Sequence, residues 1–202
     1  MTALLDGSSP AQGLRERKKA KTRAAIQRHA LRLFRKQGYE ATTVEQIAEA
    51  AEVSPSTFFR YFPTKEDVVL YDPFDPMLIA AFQAQPPELT PMQAFREALH
   101  ATFAAISRED FDEQWERGML IFSIPDVRMR VLNDSLVTAQ ILAELVAKRT
   151  GLRPDDLAVG TFVGAVIGAL AGGYVTQMHN PNTDFLAVMD ESLRLLEAGL
   201  PL

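Results

Sequence analysis

Phe59, Arg60 and Tyr61 stand side by side in "SPSTFFRYFPTK" (54–65), a stretch with four aromatics, two prolines and one arginine. Two prolines do not suit a strand, and an arginine among aromatics does not suit a core helix. The residue types suit contact with nucleic acid instead. An exposed phenylalanine can meet a thymine methyl, and a guanidinium can reach guanine or a phosphate. Helical spacing turns Pro55, Ser56, Phe59 and Arg60 outward. It turns Val53, Phe58 and Phe62 inward, to pack on Ile47, Phe34 and Leu33. Thr43, Tyr61 and Lys65 flank this surface and suit phosphates, and Glu45, Ser54 and Thr57 complete the expected contact set.

These residues need a scaffold, and helix signals supply one. A helix over 15–37 carries Ile26, Ala30, Leu33 and Phe34 as its apolar stripe, and Gly38 ends it. Thr43 and Gln46 have capping-box spacing at the start of a second helix. Ser54 caps a third helix with Pro55 at its first position, Pro63 stops it, and Thr64 with Asp67 starts another. Two short helices joined by a tight turn after a longer helix make a helix-turn-helix, whose last helix can enter a major groove. The turn carries Glu52, which needs a left-handed backbone or a different turn.

Charge supports that use. The chain is −5 overall, but residues 1–66 hold twelve basic residues against seven acidic, net +5. Residues 67–202 hold nine against nineteen, net −10. Such a split suits a chain with one end at a polyanion. Arg15, Arg17, Lys18, Lys19 and Lys21 form a basic arm suited to minor-groove or phosphate contacts.

"TTVEQIAEAAEVSPSTFFRYFPTKEDVV", with the preceding "RAAIQRHALRLFRKQGYEATT", resembles the DNA-binding region of the TetR family of bacterial transcriptional regulators. The likeness covers about 23–69, and Glu52 stands where that turn usually carries glycine. The resemblance implies a homodimer on a palindromic operator, usually a repressor, released by a small ligand in the second domain. "RGMLIFSIPDVRMRVLNDSL" and "GLRPDDLAVG" are similar to the mycofactocin regulator group, which implies acyl-CoA-type ligands.

The expected fold is all-α with about nine helices: a disordered leader over 1–14, a helix-turn-helix domain over 15–66 and a larger helical domain over 67–202. In that larger domain "YDPFDP" (71–76) interrupts a helix at Pro73 and Pro76, as a break or a hinge. Phe82, Phe103, Trp115, Met119 and Phe122 are the expected lining of an apolar effector pocket. "LAVGTFVGAVIGALAGGYV" (157–175) is nineteen residues without a charge, long enough to cross a membrane. Its glycines and alanines, and the lack of a flanking basic cluster, suit a buried helix better. In a TetR-like dimer the last two helices form the four-helix bundle, which places Phe162, Gly164, Ile167, Gly168, Gly172, Phe185, Met189, Leu193 and Leu196 at the subunit interface.

No cysteine is present, and His29, His100 and His179 fall in no metal-spaced or triad pattern, so neither a metal nor a catalytic site is expected. A cofactor is not expected either. The expected location is the cytoplasm. The alternatives are a ligand-independent architectural DNA-binding protein and, third, a small all-α enzyme.

Overall fold

Side chains that cap their own helix fix the starts of the short elements. Thr43, Thr64 and Thr90 each accept from the backbone three residues on, while Gln46, Asp67 and Gln93 reach back to the capping residue's N–H. Ser54 and Asp184 cap their helices the same way, each through one bond. The computed structural model describes residues 10–201; the side chains of 10–14, 16, 17, 126 and 132–137 lie outside that description. Among the described residues there are ten helices and no strand. They are α1 (Pro10–Gln37), α2 (Val44–Ala50), α3 (Pro55–Tyr61), α4 (Lys65–Leu70), α5 (Asp75–Ala84), α6 (Pro91–Ala104), α7 (Arg108–Ser123), α8 (Pro125–Thr150), α9 (Leu157–His179) and α10 (Phe185–Glu197).

Two differences from the expected boundaries have simple causes. The first helix begins at Pro10, where proline suits a helix start, rather than at 15. Of the expected leader, residues 1–9 lie outside the described residues. The interruption at "YDPFDP" falls on Tyr71–Phe74, and Pro76 sits in the first turn of α5, where it starts that helix instead of breaking it. The resulting separate α4 and α5 bring the count to ten.

The chain forms two compact units. One contains residues to Tyr71 together with Glu116–Ile124; the other contains Asp72–Trp115 and Pro125 onward. The larger domain expected over 67–202 is therefore not one contiguous stretch, because Glu116–Ile124 belongs with the N-terminal helices.

In the first unit α1 packs on α2 and α4, and α2 on α3. Ile26, Ala30, Leu31, Phe34, Ile47, Ala48, Phe58, Phe62, Val68 and Val69 are buried, while Leu33 and Val53 are only partly covered. Removing any one of the three phenyl rings of this core, Phe34, Phe58 or Phe62, would cost about 3–5 kcal/mol. Because α4 stops after Leu70, its last carbonyls need outside donors. Gln27 Nε2 donates to Val68 O at 2.9 Å and Tyr71 O at 2.7 Å, and Arg117 Nη1 to Val69 O at 3.1 Å.

In the second unit α5, α6, α8, α9 and α10 surround Phe82, Ala94, Phe95, Ala98, Leu99, Val146, Val159, Val163, Val166, Met189 and Leu193. At Gly173 α9 packs closely on α10: an added Cβ would meet Ser192 Oγ at 2.6 Å.

Candidate nucleic-acid interface and ligand cavity

Ser54 shapes the start of α3: its Oγ accepts from Thr57 N at 3.1 Å and donates to Thr57 Oγ1 at 3.0 Å. Capping directs the seven-residue helix so that Phe58 is fully buried, its ring edge-on to Phe59 at 5.5 Å. Phe59 itself is 49% exposed, and Pro55, Ser56 and Arg60 are exposed beside it, as helical spacing predicts. The Arg60 guanidinium lies 5.5 Å from the Tyr61 ring, and Tyr61 is half-buried. An apolar ring and a cation thus share one solvent-facing surface. Packing does not call for either there.

The turn before α3 uses the left-handed backbone that Glu52 was expected to need: its φ is +54°. Its N–H still bonds to Glu49 O at 3.0 Å, and Val53 N to Ala48 O at 2.9 Å, so the turn closes despite the side chain.

The flanking residues divide. Thr43 and Glu45 are exposed at the start of α2, where Thr43 is the capping residue and Glu45 faces the positive end of the helix. Lys65 is half-buried, and its Nζ donates to Tyr39 O at 2.9 Å and Thr42 O at 3.1 Å while standing 4.0 Å over the Tyr39 ring. Its geometry is that of a clamp on the turn after α1, so the expected phosphate residue also has a structural role. Next to it, burial pushes the Glu66 carboxyl up, but bonds from the Tyr39 hydroxyl (2.7 Å), its own backbone and Thr64, with the Lys65 charge, hold it below the usual range. Arg15, Lys18, Lys19 and Lys21 are exposed along α1, and the Arg17 side chain lies outside the described residues.

Part of the basic charge on α1 serves the fold. Arg23 Nη2 donates to Tyr61 O at 3.3 Å and its guanidinium lies 4.1 Å from the Tyr71 ring. Arg35 pairs with Glu116 at 2.6 Å. Charge counting alone does not separate these from cations left to meet phosphate.

The second unit holds a cavity of about 300 Å³ between α5, α6, α8 and α9. Leu78, Phe82, Phe95, Leu142, Val163 and Val166 are part of its apolar wall. Of the five residues expected to line it, Phe82 does. Phe103 and Trp115 instead line a separate open cleft near the start of α10, where they join Phe111, Tyr174 and Phe185 in an aromatic cluster with neighbouring centroids 5.2–6.0 Å apart. Met119 and Phe122 belong to the first unit and line neither space. Phe95 and Phe162 join Phe82 in the wall, but most of the lining is aliphatic, so aromatic and methionine content does not mark it. The signal lay in "TAQILAELV" (138–146) and in the apolar run of α9.

The residues expected at the subunit interface divide by their packing within the chain. Met189 and Leu193 are buried between α10 and its own α9, and Leu196 packs on the same core. Phe185 sits in the aromatic cluster, and Phe162 and Ile167 line the cavity. Gly164, Gly168 and Gly172 alone of the set face open space, on a surface shared with Leu157 and Val175.

Residues 26–71 match the family described as bacterial regulatory proteins, tetR family, and residues 89–201 match the MftR C-terminal domain. Over 165 residues the chain is 39% identical to the HTH-type transcriptional regulator TcmR of Streptomyces glaucescens, a span of 78% of this chain and 73% of that protein. A crystal structure of Thermus thermophilus FadR, a TetR family transcriptional repressor in complex with lauroyl-CoA, superposes with a TM-score of 0.55 at 25% identity, over 89% of this chain and 95% of that one. The fatty acid degradation regulator FadR from Bacillus halodurans shares the fold, with a TM-score of 0.56 at 20% identity over 86% and 93% of the two chains.

Proposed function

The chain belongs to the TetR family of DNA-binding transcriptional regulators, and we propose that it works as a homodimeric repressor. Each copy sets α3 into a major groove of a palindromic operator, with half-sites about 34 Å apart. A small, largely apolar effector in the cavity of the second unit lowers operator affinity by favouring a conformation that binds DNA less well. The covalent paths for that coupling are the link at Tyr71–Phe74 and helix α7, which contributes to both units.

One observation carries the DNA assignment: Phe59 and Arg60 are exposed together on a capped helix that follows a tight turn. Base contacts fall to Phe59, Arg60 and the helix start at Pro55, Ser56 and Thr57. Backbone contacts fall to Thr43, Tyr61 and the exposed Arg15, Lys18 and Lys19. Lys65 acts through the turn it clamps.

For the dimer, the surface of α9 that carries Gly164, Gly168 and Gly172 supports close helix approach, since nothing lies within 4 Å of a Cβ built at any of them. Helix α9 has the length and apolar composition of a membrane span, but one face packs against α8 and α10 in the core, which supports a subunit-interface helix. The location that fits such a regulator is the cytoplasm. The cavity favours an effector-controlled regulator over an architectural DNA-binding protein, which needs no such space. Neither reading makes the chain an enzyme.

Selection of bound duplexes from a random pool tests the proposal. The expected product is a palindromic consensus with half-sites about one helical turn apart, bound with steep salt dependence. Enrichment of no sequence would refute operator recognition.

A further inference from the structure

One side chain of α1 touches both the end of α3 and the last residue before the second unit. Arg23 Nη2 donates to Tyr61 O at 3.3 Å, and Tyr61 is the last residue of α3. The same guanidinium lies 4.1 Å from the Tyr71 ring and 5.2 Å from the ring of Phe62, the fully buried residue that follows α3. Those two rings are themselves 5.9 Å apart. Tyr71 closes α4, and the second unit begins at the next residue. One turn along the same face of α1, Gln27 Nε2 donates to Tyr71 O at 2.7 Å, so α1 grips Tyr71 by ring and carbonyl together. Arg23 Nε is buried and has no hydrogen-bond partner among the described residues. A buried donor left unpaired is costly, so packing alone favours a methionine here over an arginine. The acceptor that Arg23 does have is a carbonyl at a helix end, where the helix supplies no partner of its own. Ser54 fixes the start of α3 by capping it, and Arg23 holds its other end.

We propose that Arg23 is a positioning residue for operator reading: it sets the pose of α3 by tying the Tyr61 carbonyl to the Tyr71 ring. This role rests on α3 as the reading helix and adds a residue outside α3 that decides how well it discriminates between duplexes. Arg23 acts through Tyr61 and touches no base. The pose of α3 then depends on Tyr71, which lies in neither α3 nor the turn before it. Because Tyr71 stands at the start of the link to the second unit, a displacement of that link reaches the end of α3 through this guanidinium.

Fluorescence anisotropy of the full chain with the selected operator duplex and a scrambled one tests this role, at a temperature well below the melting of every variant. Arg23→Met keeps an apolar stem against the rings but removes the bond and the charge. It is expected to bind the scrambled duplex as the native chain does, and to lose about fivefold of its preference for the selected one. The slope of log affinity against log salt is expected to stay unchanged, because no phosphate contact is removed. Tyr71→Leu is expected to lose a similar factor, and Tyr71→Phe, which keeps the ring, to lose nothing. In the double variant of Arg23→Met with Tyr71→Leu the two losses are expected not to add. A side chain that only stabilised the fold would shift the melting temperature and leave the preference of the folded protein unchanged. An unchanged preference in Arg23→Met or additive losses in the double variant would overturn the positioning role. So would a salt slope lower by about 1, which would make Arg23 a phosphate ligand. Where Arg23→Met does not fold, Tyr71→Leu against Tyr71→Phe decides, and equal preference in the two overturns the role. A native chain that discriminates no better than Arg23→Met, yet clearly prefers the selected duplex, refutes the positioning role alone. A native chain that prefers neither duplex refutes α3 as the reading helix, and the positioning role with it.

Discussion

Lys65 lies with its ammonium 4.0 Å over the Tyr39 ring and donates to the Tyr39 carbonyl at 2.9 Å, tying the first turn of α4 to the turn after α1. Lys65→Met removes a charge-assisted bond and a cation–π contact, and is expected to destabilise the protein by on the order of 1–2 kcal/mol in urea unfolding. The salt dependence of operator binding distinguishes this clamp from a phosphate contact. Its slope is expected to stay unchanged in the variant, whereas loss of a phosphate partner would lower it by about 1.

Glu52 holds a left-handed backbone, φ +54°, in the turn between α2 and α3. Strain of this kind costs a residue with a Cβ about 1–2 kcal/mol. Glycine relieves it, so Glu52→Gly is expected to raise the urea midpoint, equivalent to a stability gain of about 1 kcal/mol at most after the added flexibility of the unfolded chain is offset. A drop in the midpoint would show that the Glu52 side chain contributes more than the strain it imposes.

Arg96 on α6 grips Asp190 on α10 with two parallel bonds, Nε–Oδ1 at 2.8 Å and Nη2–Oδ2 at 3.0 Å. The Arg96 hydrogen bonds hold the Asp190 carboxyl below its usual range, against the opposing effect of burial. A lowered folded-state pKa gives stability that is complete above the unfolded value, near 3.8, and is lost as pH falls through the folded one. Asp190→Asn is expected to reduce stability at neutral pH by on the order of 1 kcal/mol. It should also flatten the acid limb of thermal melts recorded between about pH 5 and pH 2.

Gly173 lets α9 approach α10 to within contact of Ser192. Gly173→Ala forces a methyl group into Ser192 Oγ and is expected to cost about 1–3 kcal/mol. Ser192→Ala in the same chain should recover part of that loss. Additive effects of the two substitutions in thermal melts would show that the two residues do not meet.

Local rules made much of the first unit legible. Thr43 with Gln46, Ser54 with Pro55, and Thr64 with Asp67 each state a helix start within four residues, and the structure uses all three. The outward placement of Phe59 and Arg60 follows from periodicity once α3 is bounded. The clamp role of Lys65 was not legible because its partners, the carbonyls of Tyr39 and Thr42, lie 26 and 23 residues away and are set by the turn geometry. The second unit was harder to read for the same reason. Leu193 and Met189 show an apolar stripe, but a stripe does not say whether it meets its own α9 or another copy. Most of the cavity lining was missed because it is made of ordinary aliphatics that become a site only when α5, α6, α8 and α9 come together.

The central claim is that Phe59 and Arg60 read the operator. Fluorescence anisotropy of the selected duplex against a scrambled one, for the native chain and for Phe59→Ala with Arg60→Ala, tests it directly. Both side chains are exposed, so the double variant is expected to keep its helicity, melting temperature and subunit assembly. Its preference for the selected duplex is expected to fall by about 30-fold or more, from losses of about 1–3 kcal/mol per contact. A double variant that still prefers the selected duplex as strongly as the native chain would contradict the assignment of α3 as the reading helix.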